Sequence, residues 1–120
     1  NHPCSVWVQT TGGNYLWLAR LMKHCMAEFE HRYGHEHTTK RLWPFLCHTP
    51  ENIASGPRTL FLQSMPEQYR GPNAVIAYRR LYVESKSRFA KWTDVPVPLW
   101  FRRGIKDYRP EEFERGRDNA

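Results

Sequence analysis

From Asn73 to Trp92 the chain reads NAVIAYRRLYVESKSRFAKW, and Val75, Tyr78, Tyr82, Ser85, Phe89 and Trp92 recur at alternating gaps of three and four. That period is one face of an α-helix, and it conflicts with the two-residue alternation of a half-buried strand. A helix is therefore expected over the whole stretch, with Pro72 in its first turn and Thr93-Asp94 at its end. Arg79 and Lys86 lie along one border of the stripe, while Arg80 and Lys91 point the opposite way. The spacing predicts a scaffold helix that also carries cations.

A second long helix is expected from Asn14 to Tyr33. The side chain of Asn14 suits an N-cap and Gly34 suits a left-handed stop. Its stripe is Tyr15, Leu18, Ala19, Met22, Cys25, Met26, Phe29 and Tyr33, with Trp17, Leu21, Glu28 and Arg32 on one flank. Arg20, His24 and His31 fall on the outer face.

Shorter elements fill the rest. Pro3 favours a first helical turn over the opening residues, and Thr10 to Gly13 reads as a turn. Thr38 or Thr39 is expected to cap a short helix through Leu46, with Pro44 restarting it. His48 to Pro57 reads as an ordered loop plugged by Ile53, and PEQYR as a single helical turn. Val95 to Pro98 must be extended, because valines alternate with prolines. The pattern is all-α: a compact single-domain helical bundle with two long helices, several short ones and an extended Pro-rich C-terminal segment. The expected boundaries are a helical domain over 1–101 and a charged, at most partly ordered tail over 102–120.

A chain of 120 residues with 40% hydrophobic residues can build a core without metal or disulfide. Its net charge of +6 raises the case for a polyanionic partner. The odd three cysteines, Cys4, Cys25 and Cys47, form no C-x-x-C pair, which excludes a zinc ribbon or thioredoxin-type site and fits a reducing compartment. No apolar run is long enough to span a membrane. P-loop, dinucleotide glycine, Gly-x-Ser-x-Gly and zinc deaminase patterns are all absent from the sequence.

The candidates for chemistry are few. His2, beside Pro3 and near Trp7, could fix the chain start or move a proton. Glu28 stands four before Arg32, the spacing of an ordinary helix ion pair, and burial would be needed to turn it into a general acid or base. His24, His31, His35 and His37 lie close in sequence, but Gly34 divides them, so a solvated helix end is the plainer reading than a metal site. Among the cations, Arg79 and Lys86 border the core and are the better ligands for an anion.

Taken together, NHPCSVW, NYLWL, EFEHRYGHEH, MPEQY, AYRRLYVESKSRFAKW and VPLWF resemble a small family of helical proteins found largely in phages and labelled pyrimidine-dimer DNA glycosylase-like. The matching segments run from Asn1 to Phe101. A more distant similarity is to the established dimer glycosylases, compact helical proteins that cleave the glycosidic bond at a cyclobutane dimer. Those use an N-terminal amine as nucleophile, forming a Schiff base with the sugar, together with a nearby glutamate. The resemblance implies that Trp100, Phe101, Arg102 and Arg103 help to bind damaged DNA. In the relatives, a segment with its own histidine and acidic residue precedes NHP. The nucleophile is therefore expected upstream of Asn1, and no residue here inherits it.

The expected function is DNA binding of the glycosylase-like class, acting on damaged or modified pyrimidines in the cytoplasm, without a cofactor. Arg79, Lys86, Arg102 and Arg103 would contact phosphate with Trp100 beside them, and His2 and Arg32 would line the site. Two alternatives stand beside it: a non-catalytic phage module that binds a protein partner, and a metal-dependent hydrolase built on the four histidines.

Overall fold

The computed structural model describes residues 2–108. Most of them are helical, with no strand among them. Five α-helices follow in order: α1 (Pro3–Thr10), α2 (Gly12–Tyr33), α3 (Trp43–Leu46), α4 (Ala74–Lys86) and α5 (Leu99–Tyr108). The chain divides into two compact units, Asn1–Leu62 and Gln63–Ala120, where the sequence suggested one domain over 1–101. The charged tail expected from Arg102 starts inside α5, and its part beyond Tyr108 lies outside the described residues. No helix among the described residues is long and apolar enough to cross a membrane.

In the first unit, Pro3 opens α1 and the Nδ1 of His2 accepts from the Cys4 amide at 3.1 Å. Thr11, at φ −142° and ψ 157°, breaks the helix for a single residue. Its hydroxyl then caps α2 by accepting from the Asn14 amide at 3.1 Å. Thr11, and not Asn14, is thus the N-cap, and the turn expected over Thr10 to Gly13 shrinks to one residue. Asn14 is the most buried side chain described, at 0% exposure. It cannot cap, because its amide group is spent on Trp7 and Thr59.

The loop from Ala54 to Thr59 closes over this junction. Gly12 and Gly13 donate their amides to the carbonyls of Ala54 and Gly56, at 2.8 and 2.9 Å. These bonds satisfy amides that a helix start leaves without intrahelical partners. Gly13 must be glycine, since a Cβ there would stand 2.3 Å from the Arg58 backbone nitrogen. Trp7, Trp17 and Phe61 form a three-ring cluster with centroids 4.5 to 6.0 Å apart. Trp7 Nε1 also donates to the Leu60 carbonyl at 2.8 Å. Such ring pairs add about 0.5–1.5 kcal/mol each beyond their area.

Helix α2 stops at Gly34, φ 73°, as its sequence predicts. At roughly 33 Å it outruns the elements that cover it. Ala19 is buried, but Cys25 and Tyr33, expected in the stripe, are exposed. Next, the Nδ1 of His37 caps the 3-10 turn Thr38–Leu42 by accepting from Thr39, the role expected of a threonine. Helix α3 restarts with Pro44 in its first turn, and the Tyr15 hydroxyl donates to its Leu46 carbonyl at 2.9 Å.

In the second unit, Asn73 caps α4 by accepting from Ile76 at 3.1 Å, so Pro72 stays outside the helix. The helix ends at Lys86, well before Thr93, and a 3-10 turn, Ser87–Phe89, follows. The buried residues of α4 are Ala77 and Val83, at 2% exposure each. Val75, Tyr78, Ser85 and Phe89, all expected inside, are exposed. Close helix packing explains the difference: Gly104 of α5 lies against Val83, where a Cβ would fall 2.6 Å from Val83 Cγ2. The closest approach falls on small residues, while Tyr82 meets Trp100 and Phe101 beside it, with ring centroids 6.1 and 6.0 Å apart. Phe101 completes this core with Tyr82, Ala90, Trp92 and Trp100 packed around it. Ahead of α4, the Gln63 amide clamps Gly71, donating to its carbonyl at 2.6 Å and accepting from its nitrogen at 2.9 Å.

Candidate nucleic-acid interface

The positive charge is not spread evenly. Residues 63–104 hold eight Lys and Arg against three Asp and Glu, a net +5 out of the chain's +6. Three of those cations stand against aromatic rings. The Arg79 guanidinium lies over Trp100, 5.3 Å from its centroid. Lys86 Nζ and the Arg88 guanidinium approach Phe89 at 5.6 and 5.9 Å. Cations paired with rings are the elements from which proteins build grooves for a nucleic-acid strand.

Helix α4 sets the order. Arg79, Tyr82 and Lys86 follow one another at i, i+3 and i+7, so they share one side of the helix. Tyr82 packs edge-on to Trp92 and Trp100, with centroids 6.1 Å apart in each pair, which fixes the strip between the two cations. Trp100 itself is half-buried against Phe101 at 5.9 Å, so its ring is a rigid floor for Arg79. On α5, Arg103 stands one turn beyond Trp100 and is exposed, on the side that carries Arg79. Arg102 is exposed too, but the helical period turns it to the other flank of Phe101. Arg80 is engaged with Glu84, Nε to Oε2 at 3.0 Å.

The first-unit candidates behave differently. His2 is the cap of α1, with its Nδ1 committed to Cys4. Glu28 and Arg32 form an i,i+4 ion pair at 2.8 Å, with the Glu28 side chain 43% exposed. Glu28 therefore lacks the burial that a general acid or base would need. The four histidines do not converge. His35 and His37 pack edge-on against Phe29 at 5.3 and 4.7 Å, His24 and His31 face solvent, and no metal-holding group of three donors exists among the described residues. A half-open concavity of about 350 Å³ runs along Ser5, Val6, Gln9 and Thr10, with no charged side chain among the described residues that line it.

The sequence reading placed Phe89 in the core and left Arg88 out of the site. The signal that could have moved them lies in S-K-S-R-F, where Ser85 and Ser87 compete for backbone hydrogen bonds and weaken the helix. Arg58, 4.5 Å from the Phe61 centroid, is a further pair that the sequence spacing did not single out.

No protein-family model, no curated protein and no solved structure matches this chain.

Proposed function

We propose that the chain is a DNA-binding protein that grips the phosphate backbone with the α4–α5 part of its sequence, acting in the cytoplasm. The observation that carries this reading is the Arg79 guanidinium held 5.3 Å over Trp100. A guanidinium fixed on a ring loses less freedom when it meets a phosphate than one waving in water. Lys86 on the same side of α4 and Arg103 on α5 extend the contact, and the +5 concentrated in residues 63–104 supplies the long-range attraction. The proposal extends to glycosylase-like Schiff-base and lyase chemistry on damaged or modified pyrimidines, which requires an amine nucleophile. Neither His2 nor Glu28 offers an amine, and their partners hold them in structural roles.

The test is binding to a duplex oligonucleotide, with and without a cyclobutane dimer, titrated against salt. Affinity should fall steeply as salt rises, and absence of binding at low salt, both to this duplex and to its separated strands, rejects the proposal. Borohydride trapping of an adduct on the dimer-containing duplex tests the lyase part separately.

A protein-binding module is the second reading, supported by Leu60 at 91% and Phe45 at 77% exposure in the first unit. A pull-down that recovers nucleic acid and no protein would count against it.

A further inference from the structure

Phe89 lies three residues beyond Lys86, at the end of the Arg79–Tyr82–Lys86 row. It is 60% exposed, although the residues that follow it turn inward. Ala90 and Trp92 both pack on the Val83–Phe101 core. The 3-10 turn Ser87–Phe89 thus leaves one aromatic ring outside while Ala90 and Trp92, which follow it, are partly buried. Removing about 60% of a phenylalanine from water would be favourable, so leaving it outside costs stability that the fold does not recover.

The ring is not alone. Lys86 and Arg88 stand beside it at 5.6 and 5.9 Å, near the outer limit of about 6 Å for a cation–π contact. The cations lie over the ring, which still keeps 60% of its surface exposed. A phenyl group has no donor or acceptor, so it cannot read a base edge, but it can stack on any base. Bases inside a duplex are already stacked on each other. A single ring on a turn therefore gains a partner only where a base is unpaired.

We propose that Phe89, with Lys86 and Arg88, is a seat for an unpaired base, and that the chain prefers single-stranded to intact duplex DNA. The proposal rests on the nucleic-acid reading above and narrows it. The strand's phosphates lie along Lys86 and Arg79, and one base leaves the strand to stack on Phe89.

The experiment compares a dye-labelled single-stranded oligonucleotide with its duplex at low salt, for wild type, Phe89→Ala and Phe89→Trp. Wild type should bind the single strand more tightly. Phe89→Ala should lose roughly five- to a hundred-fold on the single strand, the effect of one lost base–aromatic stack, and little on the duplex. Phe89→Trp should keep the affinity, and its added fluorescence should be quenched by the single strand. The exposure of Phe89 leaves folding intact in both variants, which circular dichroism checks. Equal loss on both forms, or no loss on either, overturns this inference alone. Failure of wild type to bind either form overturns it together with the proposed function.

Discussion

Asn14 and Thr59, forty-five residues apart, are joined through a single buried amide group: Asn14 Oδ1 accepts from the Thr59 nitrogen at 2.8 Å, and Asn14 Nδ2 donates to Thr59 Oγ1 at 3.0 Å. The same Nδ2 donates to the Trp7 carbonyl at 2.8 Å. One side chain thus ties the end of the Ala54–Thr59 loop to α1 and to the start of α2. Replacing it should remove all three bonds and strand their partners. Asn14→Ala is expected to cost about 1–3 kcal/mol in urea denaturation. Thr59→Ala keeps the backbone donor and should cost less than about 1 kcal/mol. Equal costs for the two would show that the backbone bond contributes nothing.

Three glycines should respond to alanine in a fixed order. At Gly13 the added Cβ meets the backbone of Arg58, which cannot move without shifting the loop. At Gly104 it meets the Val83 side chain, with Cγ2 at 2.6 Å and Cγ1 at 3.2 Å, and about 1–3 kcal/mol is expected for overpacking a side chain and not a backbone. At Gly71 nothing lies within 4 Å, and the change should stay within about 0.5 kcal/mol. Denaturation midpoints that failed to rank Gly13→Ala as the worst and Gly71→Ala as the mildest would contradict the close approaches.

Removing cations should separate the interface from the rest of the surface. Arg79→Ala is expected to weaken duplex binding and lower the salt slope by about 1. Arg80→Ala should do less, because Arg80 is already held by Glu84 at 3.0 Å. Arg32→Ala should leave binding unchanged, since Arg32 is paired with Glu28. A salt slope that falls equally for all three would mean a diffuse basic surface with no defined face.

Lys40 gives a pH dependence with a definite sign. Its hydrogen bond to Glu36, at 2.8 Å, raises the ammonium pKa above the ordinary 10.5; desolvation opposes this, and the charges of Glu36 and Glu30 add to it. The stabilisation is therefore complete below 10.5 and disappears as pH rises through the raised value. Melting temperatures of wild type and Lys40→Met at pH 7, 9 and 11 should converge at the alkaline end. A constant difference across the series would show that the lysine stem, not its charge, makes the contribution.

Much of the secondary structure is local in origin and was legible. Pro3 in a first turn and Gly34 in the left-handed region follow from backbone sterics alone. The caps show where local reading fails. Thr11, Asn14 and Asn73 are all chemically able to cap, and which of them does so depends on what else competes for the side chain. Asn14 is claimed by Thr59 from a distant loop, so Thr11 takes its place. The site divides in the same way. Arg79 and Lys86 were legible as neighbours from their spacing and Trp100 was named beside them, whereas Phe89 under Lys86 was assigned to the core.

The sequence by itself determined that the chain is helical, where α2 ends, and that charge gathers beside the Asn73–Trp92 stretch, because helical period and charge are properties of neighbouring residues. Only the tertiary structure decided which side of α4 is buried. Size suggested that the aromatics would go inside, and Tyr82 and Trp92 do, but Val75, Tyr78 and Phe89 do not, because α4 and α5 approach most closely where a side chain is small. Val83 meets Gly104 there, and the helix gives way to a tight turn at Lys86. Phe89 is left outside beside Lys86 and Arg88 as a consequence.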